Sequence, residues 1–199
     1  GYGNIAYSKG YPGATANHSV NAVSGYIEDP GQGNERVGHR SWILYPQLSA
    51  LGSGSVWRAS DSYATDCMMW GDNLNGAAAT IPFVAYPPAD YIPSTILFPR
   101  WSFSINGGNF NNANVTMTDK TGASVPLNVV FRSAQGGAPD AIIVWEPQVT
   151  VTADTEFNVT VTGITGAPQA SYSYTTKVFY EGPLPTKRMA GGEREAGIL

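Results

Sequence analysis

Glu156-Phe157-Asn158-Val159-Thr160-Val161-Thr162 reads as a β-strand with one dry and one wet face, since Phe157, Val159 and Val161 alternate with Asn158, Thr160 and Thr162. Outward from it, 101–105, 115–118, 127–131, 141–145 and 171–180 are further strand candidates, separated by Gly, Asn, Asp or Pro turns. Six or seven short strands at this spacing predict an immunoglobulin-like β-sandwich of about 80 residues over 101–180. Upstream, Tyr86-Pro87-Pro88-Ala89-Asp90-Tyr91-Ile92-Pro93 is stiffened by prolines that fix φ and remove backbone donors. The segment 86–100 is therefore expected to be a semi-rigid connector and to mark a domain boundary. After Tyr180 the pattern stops, and the mixed-charge tail 181–199 is expected to be flexible or ordered only by a partner.

The N-terminal part, 1–85, reads differently. Residues 19–28 have helix-like apolar spacing that ends in Glu28, Asp29 and Pro30, and a polar loop follows. Residues 53–57 and 67–70 cluster β-formers and are expected to be central strands of a small α/β sandwich. The fold class expected is thus α+β followed by an all-β sandwich.

With 199 residues and 42% apolar content the chain can build one large core or two small ones. Only 13% of residues are charged, while 23 glycines and 14 prolines give the composition of a turn-rich, β-rich protein of the cell surface or exterior. A net charge of −4 with no basic stripe argues against a nucleic-acid partner. No apolar run approaches the length that spans a bilayer. No signal-peptide pattern is present and the first residue is glycine, so a processed or truncated product is expected. Cys67, the one cysteine, excludes an internal disulfide and reads as a buried thiol, an intermolecular disulfide being the alternative.

Chemistry concentrates at Val37-Gly38-His39-Arg40-Ser41-Trp42-Ile43-Leu44-Tyr45-Pro46, which holds one of two histidines at the head of an apolar run. The helix end at Glu28 and Asp29 delivers carboxylates towards His39. A carboxylate-held imidazole can ligate zinc or act as a base. Equally, His39 and Arg40 can pin the acidic helix end by hydrogen bonds and a salt bridge. Two ligands make a poor zinc site, which needs three or four, so zinc is an open option and no cofactor is the expectation. A serine hydrolase is excluded, because Gly52-Ser53-Gly54-Ser55 is a glycine-rich turn and no Gly-x-Ser-x-Gly elbow occurs.

The helix end 22–29, the segment Gly38–Pro46 with Gly52 and Gly54 behind it, Val84-Ala85-Tyr86-Pro87-Pro88, and Trp101-Ser102-Phe103-Ser104 together resemble the bacterial branch of the CAP superfamily over roughly residues 1–105. These are the cysteine-rich secretory, antigen-five and pathogenesis-related proteins. The resemblance matches His39 to the second family histidine and Asp29, with Glu28 beside it, to the second acid. The first histidine has no counterpart, since His18 does not fall at its position, and Gly3-Asn4-Ile5-Ala6 matches a family segment without its glutamate. The resemblance therefore implies half of the family cleft and a CAP-like domain over 1–85 that lacks its N-terminal half.

Asn17, Asn114 and Asn158 each begin an N-glycosylation tripeptide. Tyr2, Tyr7, Tyr11 and Tyr26, and at the other end Tyr172, Tyr174, Phe179 and Tyr180, suit either interfaces and carbohydrate platforms or the edges of the cores. The function expected is non-enzymatic binding or assembly outside the cell. Its partner is another polypeptide or an identical subunit covering the incomplete domain, with a carbohydrate or cell-surface ligand as a further option. The alternatives are a metal-dependent or hydrolytic cleft enzyme using His39 and Asp29, and a structural subunit of an extracellular polymer joined through open strand edges.

Overall fold

The computed structural model of the chain describes residues 3–9, 18–58, 63–70, 81–134 and 140–182. In chain order the elements are β1 (Gly3–Lys9), α1 (His18–Glu28), α2 (Gly38–Ile43), β2 (Gly52–Arg58), β3 (Tyr63–Met69), β4 (Val84–Tyr86) and β5 (Tyr91–Pro93). A short 3-10 turn (Ser94–Ile96) precedes β6 (Trp101–Ser104), β7 (Asn114–Asp119), β8 (Leu127–Arg132), β9 (Ile142–Pro147), β10 (Thr155–Thr162) and β11 (Ser171–Phe179).

Among the described residues strand makes up 44% and helix 11%, in two short helices, so the structure is mostly β and the expected α+β class is wrong. The correction extends to the partial CAP-like α/β sandwich expected over 1–85. The helical signal is too short to make a layer. Asp29 turns left-handed at φ 51 and Pro30 and Gly31 (φ 95) follow, which stops α1, while Pro46 follows α2 within three residues of its end. Most of the remaining chain alternates β-formers with glycine and proline turns, and it makes strands. The all-β part of the expectation fits.

Three sheets form among the described residues. One is antiparallel with order β1-β3-β2; the other two, β5-β11-β10-β7 and β4-β6-β9-β8, are the layers of a sandwich. Trp101, Phe103, Ile143 and Trp145 from one layer meet Met117, Phe157, Val159, Val161, Tyr174 and Val178 from the other in a common core. The alternation read in 156–162 holds to the residue: Phe157, Val159 and Val161 are buried, while Asn158 and Thr162 are exposed. β9 breaks alternation, because Ile142 and Val144 are buried on the opposite face to Ile143 and Trp145. That face is covered by Val37, so a continuous apolar run here means a strand roofed on both sides.

The proline-rich segment is built into the sandwich. It begins at the last residue of β4 in one layer and supplies β5 to the other, with a cis Tyr86–Pro87 bond between them. Both are edge strands among the described residues, a sheet position where missing N–H donors are tolerated.

Tyr174 carries the clearest internal cost. Its ring packs with Phe83 and Phe103, yet its hydroxyl is buried with no hydrogen-bond partner among the described residues, and burial pushes its ionisation well above the ordinary tyrosine value. An unsatisfied buried hydroxyl costs about 1–3 kcal/mol. Tyr174→Phe is therefore expected to raise stability by about 1 kcal/mol, read as a higher urea midpoint at unchanged slope. A loss of stability would show that the hydroxyl has a partner.

Candidate functional site

Residues 25–47 form a joint between α1, the three-stranded sheet and the sandwich. Tyr26 near the end of α1 donates its hydroxyl to the Asp66 carbonyl of β3 at 3.0 Å, which fixes the helix on that sheet. The chain then turns at Asp29, and Val37 opens α2 in a left-handed conformation at φ 44, ψ 49. A β-branched residue there is strained by about 1–3 kcal/mol. Full burial of Val37 beside Ile142 and Val144 offsets that strain.

Val37 has no side-chain oxygen with which to cap α2, and the cap comes from Asp29 instead. One carboxylate oxygen accepts the His39 backbone N–H at 2.9 Å, and the other bonds His39 Nδ1 at 2.8 Å. Because a carboxylate only accepts, Nδ1 carries the proton and the lone pair of a neutral ring lies on Nε2. Asp29 is 1% exposed, so these two donors compensate a buried charge, whereas the His39 side chain is 35% exposed with its ring tilted against Tyr26 at 5.5 Å.

Arg40, 1% exposed, faces the other way. Its guanidinium donates to the carbonyls of Ile27 (2.5 Å) and Glu28 (3.0 Å) at the end of α1, to the Arg100 carbonyl (2.8 Å) and to Ser102 Oγ (3.4 Å). It also lies 4.1 Å over the Tyr86 ring. Desolvation lowers its pKa to about 10, and the charge of Tyr86 and then of Asp29 opposes that shift. Arg100 repeats the device from the sandwich side, donating to the carbonyls of Asp29 and Gly31 at 2.9 Å and pairing with Glu146 at 3.0 Å. Two arginines thus satisfy the orphan carbonyls of a helix end and tie it to β6.

Tyr86 gives this joint an alkaline limit. Its hydroxyl donates to the Ile96 carbonyl, and burial raises its pKa to about 12. A raised folded pKa means the stabilisation is fully present below the unfolded value near 10 and is lost as pH rises from 10 through 12. After discounting for partial exposure, roughly 1–2 kcal/mol should disappear across that window. Denaturant midpoints of Tyr86→Phe should lose about 1–2 kcal/mol less than the native chain across that window, the remaining loss belonging to Tyr174 and Tyr45, which burial also raises; an equal loss in both proteins would mean that Tyr86 contributes none of it.

Of the residues singled out in the sequence, His39, Asp29 and Arg40 come together. Glu28 joins through its carbonyl, and its carboxylate acts on Arg40 and Tyr86 only as a minor charge at a distance. Of the hydrogen bonds and salt bridge expected from His39 and Arg40, the ion-pair contact is the one between His39 and Asp29, while the donors of Arg40 go to carbonyls and one hydroxyl. Among the described residues no three His, Cys, Asp or Glu side chains gather as a metal would require, and no helix is long and apolar enough to cross a membrane. Asn114 and Asn158 lie exposed on β7 and β10, with Asn158 accepting from Thr175 Oγ1 at 2.7 Å; Asn17 lies outside the described residues. Cys67 is a free thiol, half-buried rather than buried. Arg100, Val37 and Asp140 escaped the sequence reading, since an isolated arginine, valine or aspartate carries no pattern. Comparison with protein families finds no family model that matches the chain, and no curated protein matches it.

Proposed function

We propose that the chain is a non-enzymatic binding and assembly module that works outside the cell, with its three-stranded sheet covered by a second polypeptide or a second copy. One observation carries this reading. On β3 Asp66, Met68 and the following Trp70 are buried, whereas Thr65, Cys67 and Met69 occupy the other face. The register places Ile5 and Gly54 beside Cys67, and Val56 beside Thr65. Ile5 is 74% exposed, Val56 70% and Met69 48%, so one sheet face presents an apolar row to solvent next to edges at β1 and β2 that pair with no further strand among the described residues. The His39 joint supports the same reading, because Arg40 is committed mainly to backbone carbonyls and Asp29 to the backbone and ring of His39. The turn-rich, lightly charged composition supports the extracellular setting.

The enzymatic alternative rests on the Asp29–His39 pair, which orients an imidazole as a general base requires. It predicts a hydrolytic activity abolished by His39→Ala in a folded protein. The assembly reading is tested by sedimentation of the chain. It predicts a species heavier than the 21.1 kDa chain, dissociated by Val56→Lys. A compact monomer that binds no hydrophobic dye would contradict it.

A further inference from the structure

A cleft of about 250 Å³ opens between the turn after α2, the approach to β4, the end of β6 and the head of β9. Phe83, Ile105 and the ring of Tyr45 give it apolar walls, and Gln47, Asn106 and Asp140 bring polar groups to it. Asp140 is the unusual member. It is half-buried, and among the described residues its carboxylate accepts no hydrogen bond and meets no basic side chain. Desolvation alone holds its carboxyl above the ordinary carboxylate range. Its charge in turn helps burial to raise Tyr45, which places that phenol near the same point. Arg40 borders an adjoining recess with Asp140, but its donors already go to the joint.

We propose that this cleft binds an alkylammonium group, with the cation on Asp140 and the aliphatic stem between Tyr45 and Phe83. A half-buried acid without a counter-charge is corrected by a cation, not by a neutral sugar or an anion. The Tyr45 hydroxyl and the amide oxygens of Gln47 and Asn106 add acceptors for an ammonium, which has three donors and accepts nothing. Aromatic walls favour the same ligand through their π faces. The volume suits one lysine-sized chain rather than a larger cofactor or an oligosaccharide. The cleft is built from sandwich and joint residues and does not include the exposed face of the three-stranded sheet, so this site and the assembly reading stand or fall separately.

The test is an amide chemical-shift titration of the whole chain with three probes: Nα-acetyl-lysine methylamide, n-butylamine and the neutral Nα-acetyl-norleucine methylamide. The expected result is saturable shifts at Tyr45, Ile105 and Asn106 with the two amines, at least about tenfold weaker with norleucine, as a lost charge-assisted hydrogen bond implies. Tighter binding of the lysine amide than of butylamine would identify a peptide-borne lysine; equal binding would identify a free small amine, and both support the site. Asp140→Asn should weaken both amines by a similar factor. Equal binding of norleucine and lysine amides, or no shift at these residues with any probe, would overturn the proposal without recourse to the variant.

Discussion

Arg40→Met is expected to lower stability by about 3–5 kcal/mol, because three part-buried carbonyls each lose a donor at about 1–3 kcal/mol apiece. Methionine keeps most of the apolar stem but supplies no donors. The carbonyls of Ile27, Glu28 and Arg100, now satisfied by one guanidinium, would be left without that partner in the joint. Tyr86 would lose the cation over its ring. Arg40→Lys should recover little, since a single ammonium cannot reach acceptors on both α1 and β6 in the way a planar fork does. Urea titration measures both variants, and a change below about 1 kcal/mol for Arg40→Met would mean that the network adds nothing to the fold.

Asp29→Ala should cost about 2–4 kcal/mol, because two partly buried donors of His39 lose their acceptor and α2 loses its cap at once. Asp29 also sits at φ 51, a conformation that asparagine tolerates and alanine does not. Asp29→Asn should therefore lose about half as much, keeping one acceptor and the turn. His39→Ala leaves the backbone bond to Asp29 intact and should cost less than Asp29→Ala. Were His39→Ala the more damaging of the two, the carboxylate would be serving the imidazole rather than the helix.

Much of the sandwich was legible because its signal is local. Alternation in 156–162 and turn residues between short runs place β6 to β11 within one or two residues of the observed strands. The residues of the joint were legible as types: an acid pair ending one helix, then His39 and Arg40 ten or so positions on. Their geometry was not, because it depends on Asp29 and Val37 adopting left-handed turns that neither residue type announces. α2 was missed since Gly38 and a six-residue length give no period, and β1 was missed because it is defined only by pairing with β3. The error in fold class has the same root. One amphipathic stretch at 19–28 was read as part of a helical layer, and only the tertiary structure shows that a single helix serves the three-stranded sheet. The Pro87-Pro88 segment misled in the opposite direction, since prolines forbid a central strand but permit the edge strands found beside them.

Asp29, His39, Arg40 and Arg100 form a joint that holds the helix pair on the sandwich. Backbone hydrogen exchange, followed peptide by peptide in the native protein and in Arg40→Met, tests this joint, because local opening is reported separately from global unfolding. Peptides spanning 25–47 should exchange at least about tenfold faster in the variant, while those from β10 and β11 exchange no faster than its global stability dictates. Unchanged protection across 25–47 in Arg40→Met would contradict it.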